Sequence, residues 1–236
     1  MKTMLNETTD CANQALLAGE FFNKLSPETL RGLASLQHAS SYPANFVFLS
    51  EMDSPEGVYL ILSGEVKLSV NSSDGRRLIL RIAKKGEIIG LASALSGRPC
   101  EMTAETLYPA NLAFIPKGEF LKFLSQHPDF FQAVTQELSH NYGTVCEQLR
   151  IVALSSSAPE KLARLLLDLG RSGQMTESGL RFRFTFTHEE IGEFIGTSRE
   201  TVTRTFGIFK TRRLVNFQGS TLTIPNRAAL ESYACI

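Results

Sequence analysis

The chain has 236 residues, 43% of them apolar, enough to bury a real core and to divide into two domains, which excludes a disordered chain. Its 24 basic and 24 acidic residues cancel, so net charge selects no partner; 11 basic and 8 acidic residues lie from Ala158 onward, leaving 13 and 16 before it. Cys11, Cys100, Cys146 and Cys235 are far apart with no metal-ligand spacing, and no run of ~18 apolar residues occurs, which excludes a structural zinc site and a membrane span.

The polar start MKTMLNETTD predicts no signal peptide, so a soluble protein of a reducing cytoplasm, with free thiols, is expected. Residues 14–36 carry a helical pattern through Phe22, Leu25, Leu30, Leu33 and Leu36, with Ser26-Pro27-Glu28 as cap and first-turn proline. From Ala44 to Pro116 short apolar runs such as VYLIL, VKLSV and LILRI alternate with turn residues, among them Asp74-Gly75. Many short strands without intervening helices imply a sandwich or barrel.

The period changes at Pro128. Phe131, Val134, Leu138, Tyr142, Val145, Leu149 and Val152 recur at an average spacing of 3.5 residues, a narrow seam flanked by Gln136, His140, Glu147 and Arg150. The favoured reading is a two-fold dimer interface; the other is a long helix lying on its own domain's core. Ser155-Ser-Ser-Ala-Pro159 then reads as a hinge, followed by a helix from Glu160 to Leu169, a turn across Gly170 to Gly179, and a strand, LRFRFTF.

Thr187-His-Glu-Glu190 and Thr197-Ser-Arg-Glu200 both fit a capping box, so two short helices joined at Gly196 are predicted. Gly192 is small where the helices approach, and Ile191, Ile195, Val202 and Phe206 supply a helix-turn-helix core. Ser198, Arg199, Glu200, Thr203 and Arg204 then lie on the second helix, away from that core. An arginine pairs with guanine O6 and N7 and a carboxylate accepts from the cytosine amino group, chemistry that a helix delivers in the major groove. LVNFQGSTLTI reads as a wing turning at Gln218-Gly219, and Lys210, Arg212 and Arg213 suit phosphate contacts that position without specifying.

This order of parts, with GVYLILSGEVKL and FTHEEIGEFIGTSRETVTRTF, resembles the CRP/FNR family of bacterial transcription regulators from about Phe21 to Ile224. The resemblance implies an α+β chain: an N-terminal antiparallel β-roll (double-stranded β-helix) that senses an effector over residues 1–127, a dimerisation helix and hinge over 128–157, and a C-terminal winged helix-turn-helix over 158–236. It also implies double-stranded DNA, a second copy of the chain and RNA polymerase as partners. SRETVTR, Ser198 to Arg204, is similar to the recognition helix of the cyclic-AMP receptor proteins, whose residues matching Arg199, Glu200 and Arg204 read TGTGA. A TGTGA-like palindrome is therefore the expected site.

The sensor half departs from that branch. Its cyclic-AMP-binding members carry Gly-Glu-Leu and, some nine residues on, Arg-Ser-Ala, for the ribose and the phosphate. Aligned on Gly90, this chain has Leu91 at the glutamate and Glu101-Met102-Thr103 at Arg-Ser-Ala, so a carboxylate stands where phosphate would be neutralised. Arg98 substitutes only if the loop slips by three residues. Gly90, Leu91, Arg98, Glu101, Met102 and Thr103 are thus the effector-pocket candidates, with cyclic AMP control as the alternative and a different small molecule or gas preferred. Cys11 alone does not supply an iron-sulfur cluster, and His38, His127, His140 and Cys100 select no haem ligand by spacing. The cofactor stays unassigned. Of other classes, a ligand-binding module without DNA activity conflicts with the winged helix, and no triad, P-loop or carboxylate pair points to an enzyme.

Overall fold

The computed structural model describes residues 21–234. These fall into two compact units, 21–71 with 80–145, and 72–79 with 146–234. The partition runs through the long helix after Val145, inside the 128–157 segment that the resemblance implies. Cys11, Cys235 and the start of the first helical pattern lie outside the described residues.

Helix α1 (Pro27–Ser35) begins where Pro27 fixes the chain; Ser26 is extended and its hydroxyl accepts from the Thr29 amide. A 3-10 turn, Phe22–Lys24, precedes it. The cap at Ser26 and the first-turn Pro27 are as the sequence implied, and the helical pattern before them is a 3-10 turn over its described part.

Eight strands then build the roll: β1 (His38–Tyr42), β2 (Val47–Leu49), β3 (Gly57–Ser63), β4 (Glu65–Asn71), β5 (Arg77–Lys84), β6 (Ile88–Ile89), β7 (Thr103–Thr106) and β8 (Ala110–Pro116). They form two four-stranded sheets of order β1-β8-β3-β6 and β2-β7-β4-β5. Pairings such as β3 with β8 and β4 with β7 are antiparallel. Gly75 stands at φ 82° in the turn between β4 and β5, as Asp-Gly implied.

Helix α2 (Leu91–Ser96) follows β6, and α3 (Lys117–Gln126) and α4 (Pro128–Leu149) follow β8. Phe22, Phe120 and Phe130, each at most 1% exposed, join Leu60 and Ile115 in one core under these helices. Asp129 ties the start of α4 to the start of α1, accepting from the Ser26 amide and the Thr29 hydroxyl.

The apolar stripe of α4 divides. Val134 is 2% exposed within its own unit's core and Leu138 packs against that core, so for these two the core reading replaces the dimer seam. Phe131, Tyr142 and Leu149 are 57%, 73% and 53% exposed. Their spacings of eleven and seven residues return to one face at 3.6 residues per turn. Val145 borders a cavity of its own unit.

In the second unit, α4 passes into a π-helical segment, Arg150–Leu154. Helix α5 (Ala158–Leu169) is capped by Ser157 and carries Pro159 in its first turn. Strands β9 (Gln174–Thr176) and β10 (Gly179–Arg183), then α6 (His188–Ile195), α7 (Arg199–Thr211), β11 (Asn216–Gln218), β12 (Thr221–Ile224) and α8 (Arg227–Tyr233) complete it, the sheet running β11-β12-β10-β9. The segment read as a turn from Gly170 to Gly179 thus contains β9. QMT is exposed and held by backbone pairing to β10, so no apolar alternation marks it.

Candidate nucleic-acid interface

Helix α6 starts with a complete capping box: Thr187 Oγ1 accepts from the Glu190 amide, and Glu190 Oε2 accepts from the Thr187 amide at 2.9 Å. It stops at Gly196, whose φ of 62° places the chain in the left-handed region. At Gly192 a Cβ would lie 2.7 Å from the Thr197 carbonyl oxygen, so only glycine lets the incoming turn cross this closely. Ile191, Ile195 and Val202 at 0% exposure and Phe206 at 1% lock the two helices together.

The second capping box shifts by one residue. Ser198, not Thr197, caps α7, its hydroxyl accepting from the Thr201 amide at 3.3 Å, so Glu200 falls in the first turn and makes no reciprocal cap. Its own backbone N–H, then the Ser198 hydroxyl, hold the Glu200 carboxyl below its usual range, with Arg199 adding to the effect. Glu200 is therefore an ionised, exposed acceptor beside the exposed Arg199, and Thr203 and Arg204 are exposed one turn on.

His188 went unassigned in the sequence, and the structure brings it to this face. Its ring stacks on Phe206 with centroids 5.2 Å apart and 19° between planes, and Nδ1 lies 2.8 Å from Thr203 Oγ1. The Thr203 hydroxyl already donates to the Arg199 carbonyl at 2.9 Å. The hydrogen-bond network therefore assigns the proton to His188 Nδ1. Burial, then the charges of Lys210 and Arg199, push this imidazole below its ordinary value. The one sequence signal for this role was position: a histidine at the first residue of the first helix.

Lys210 sits 4.8 Å from the centre of the Phe217 ring on the wing, whose turn has Gly219 at φ 58°. Arg212 hydrogen-bonds the Tyr233 hydroxyl and lies over that ring, so it is tied to α8, while Arg213 is exposed at φ 56° just beyond α7. Of the three cations expected at phosphates, Lys210 stands on α7 against the wing and Arg213 is exposed just beyond α7; Arg212 is engaged within the fold.

In the first unit a cavity of about 310 Å³ opens between the second sheet, α2 and α4. Gly90, Leu91, Glu101 and Met102 line it; Arg98 and Thr103 do not. Arg98 is exposed on the loop after α2, and the buried Thr103 accepts from the Glu51 amide, so neither supplies a phosphate partner there. Leu91 is 2% exposed at the start of α2, after Gly90 at φ 87°. Cys100 also borders the cavity, and burial pushes its thiol up, away from the thiolate a redox sensor needs.

A β-roll of two antiparallel sheets joined to a winged helix-turn-helix, with arginines and a carboxylate outward on its second helix, defines a DNA-binding transcription regulator. Residues 160–233 match the model of the Crp-like helix-turn-helix domain and residues 39–127 that of the cyclic nucleotide-binding domain. The chain is 22% identical over 219 residues to the CRP-like cAMP-activated global transcriptional regulator of Mycobacterium tuberculosis, covering 92% of this chain and 97% of the relative. It is 23% identical to the cAMP-activated global transcriptional regulator CRP of Pasteurella multocida, over 83% of this chain and 94% of that one. Among solved structures, the c-di-GMP responsive global regulator CLP of Xanthomonas campestris superposes with a TM-score of 0.74 at 21% identity, covering 85% of this chain and 100% of that one. The chain belongs to the CRP/FNR family of transcription regulators, which are not enzymes. None of the described helices is long and apolar enough to cross a membrane.

Proposed function

We propose that the protein acts as a homodimer reading a TGTGA-like palindrome, under the control of a signal received in the β-roll that is not cyclic AMP, and that RNA polymerase is its further partner. The carrying observation is the presentation of Arg199, ionised Glu200 and Arg204 together on the exposed face of a helix whose other side is locked by Val202 and Phe206. Their order in SRETVTR, and its similarity to the family's TGTGA-reading helix, supports the half-site. Phe131, Tyr142 and Leu149, exposed on one face of α4, support a seam with a second copy. Two-fold symmetry then sets the half-sites about one helical turn apart.

The names of the relatives bring cyclic AMP control as the competing reading. Leu91 and Glu101 in the cavity wall weigh against it, since neither binds a ribose hydroxyl or a phosphate as the family's glutamate and arginine do. Fluorescence anisotropy of a labelled TGTGA palindrome at fixed salt, with and without cyclic AMP, separates the two. Preference over scrambled DNA that ignores cyclic AMP is expected. Preference that appears only with the nucleotide sinks the effector assignment, and no preference in either state sinks the half-site.

A further inference from the structure

We propose that the cavity of the first unit binds an uncharged, mainly hydrocarbon small molecule that donates one hydrogen bond to Asn141 Oδ1. This deepens the reading above, in which that unit receives the signal. Three properties of the cavity carry it: its walls, the state of its charges, and one unsatisfied acceptor.

The walls include Leu68, Leu80, Ile88, Met102, Leu138 and Val145, and the volume of about 310 Å³ stands at the small end of ligand sites, which run from roughly 300 to 1,000 Å³. A space walled by hydrocarbon gives water few partners and rewards an apolar occupant. The one guanidinium there, Arg81, is paired with Glu87, so it is not free to neutralise an incoming anion. Glu101 adds a carboxylate to the wall and Glu137 stands one turn before Asn141 on α4. A phosphate entering here meets the Glu101 carboxylate and an arginine already engaged. A cation would have to leave water for a largely aliphatic chamber.

Asn141 supplies the polar recognition. Its amide serves the Glu137 carboxyl, which fixes the orientation of the amide and leaves Oδ1 buried with no hydrogen-bond partner. Buried acceptors are nearly always satisfied, and a hydroxyl or N–H on the ligand would satisfy this one. Burial, then the charge of Glu87, push the Glu137 carboxyl up from its ordinary value.

The test uses the full chain and N-phenyl-1-naphthylamine, an uncharged fluorophore with a single N–H. Saturable fluorescence with one site per chain is expected, undisturbed by cyclic AMP. Of two competitors of nearly equal shape, 1-naphthalenemethanol should displace the probe about tenfold better than 1-ethylnaphthalene, because the first alone donates a hydrogen bond. Asn141→Leu should keep the probe and lose that preference; Met102→Trp, filling the chamber from a half-buried position, should weaken the probe at least about tenfold. Absence of a saturable site, equal displacement by the two competitors in the wild type, or displacement by cyclic AMP overturns the proposal. If a variant does not fold, the competitor pair on the wild type decides alone. Anisotropy on the TGTGA duplex runs beside it: lost sequence preference with an intact probe site fails the DNA reading, and retained preference with no probe site fails the cavity.

Discussion

Helix α7 and the β-roll treat charge in opposite ways. On α7 the arginines and Glu200 are exposed, while Val202, Phe206 and Phe209 of the same helix are buried. In the roll, Arg81 is spent on Glu87 and Lys67 on Glu105, at 3.4 Å and nearly buried. The same residue types are thus left exposed in one unit and used as internal braces in the other. What decides is whether the opposite charge is supplied by the fold or has to come from outside.

The comparison is broken most severely at the scaffold. Gly192→Val drives a side chain into the Thr197 carbonyl, where even a Cβ stands at 2.7 Å, and should destabilise the second unit by about 1–3 kcal/mol, read as a lower midpoint in denaturant with loss of DNA binding. An unchanged midpoint would mean that the turn yields and that glycine is not required. Next, the double change Leu91→Glu with Glu101→Arg restores the residues of the family's nucleotide cassette. It should raise cyclic AMP affinity about tenfold or more by calorimetry, about 1.4 kcal/mol; no gain would mean that the cavity's shape, not its charge, excludes the nucleotide.

Legibility differed along the same line. The helix-turn-helix was readable because Gly192, Gly196 and the Thr187–Glu190 box are local signals, each acting within a few residues. Even there the cap of α7 was misplaced by one, since Thr197 and Ser198 are adjacent and equally able to cap. The stripe on α4 was visible as a period, but a period does not say which surface covers it: Val134 faces its own core and Phe131 faces out. Thr103 and Arg98 were aligned to a pocket they do not line, because strand pairing and a loop exit set their directions. The His188 stack had only its position at the start of α6 as a signal, and the bonds of Gln148 Nε2 to the carbonyls of Ile79 and Phe194 had none, since those partners are distant in the chain.

Two smaller effects sharpen the contrast. Lys210→Ala should weaken binding evenly across DNA sequences and lower the slope of log affinity against log salt by about 1, whereas a sequence-dependent loss would make Lys210 a base reader. His188 has a folded value below that of the unfolded chain, so its neutral form is favoured by folding. Its contribution is fully present above about pH 6.5 and is lost as pH falls below that value, where the unfolded state takes up the proton first. His188→Gln should therefore flatten the acid side of the stability profile by a fraction of a kcal/mol, and an unaltered profile would contradict the assignment.

The most direct measurement pairs a protein change with single base-pair changes. Wild type and Arg204→Ala are titrated by anisotropy at fixed salt against the TGTGA palindrome and against each of its symmetric single substitutions. If α7 reads bases, at least one substitution that costs the wild type about 1–3 kcal/mol should cost the variant almost nothing. If the variant keeps the full wild-type penalty at all five positions, Arg204 reads no base and the face of α7 is not the reader.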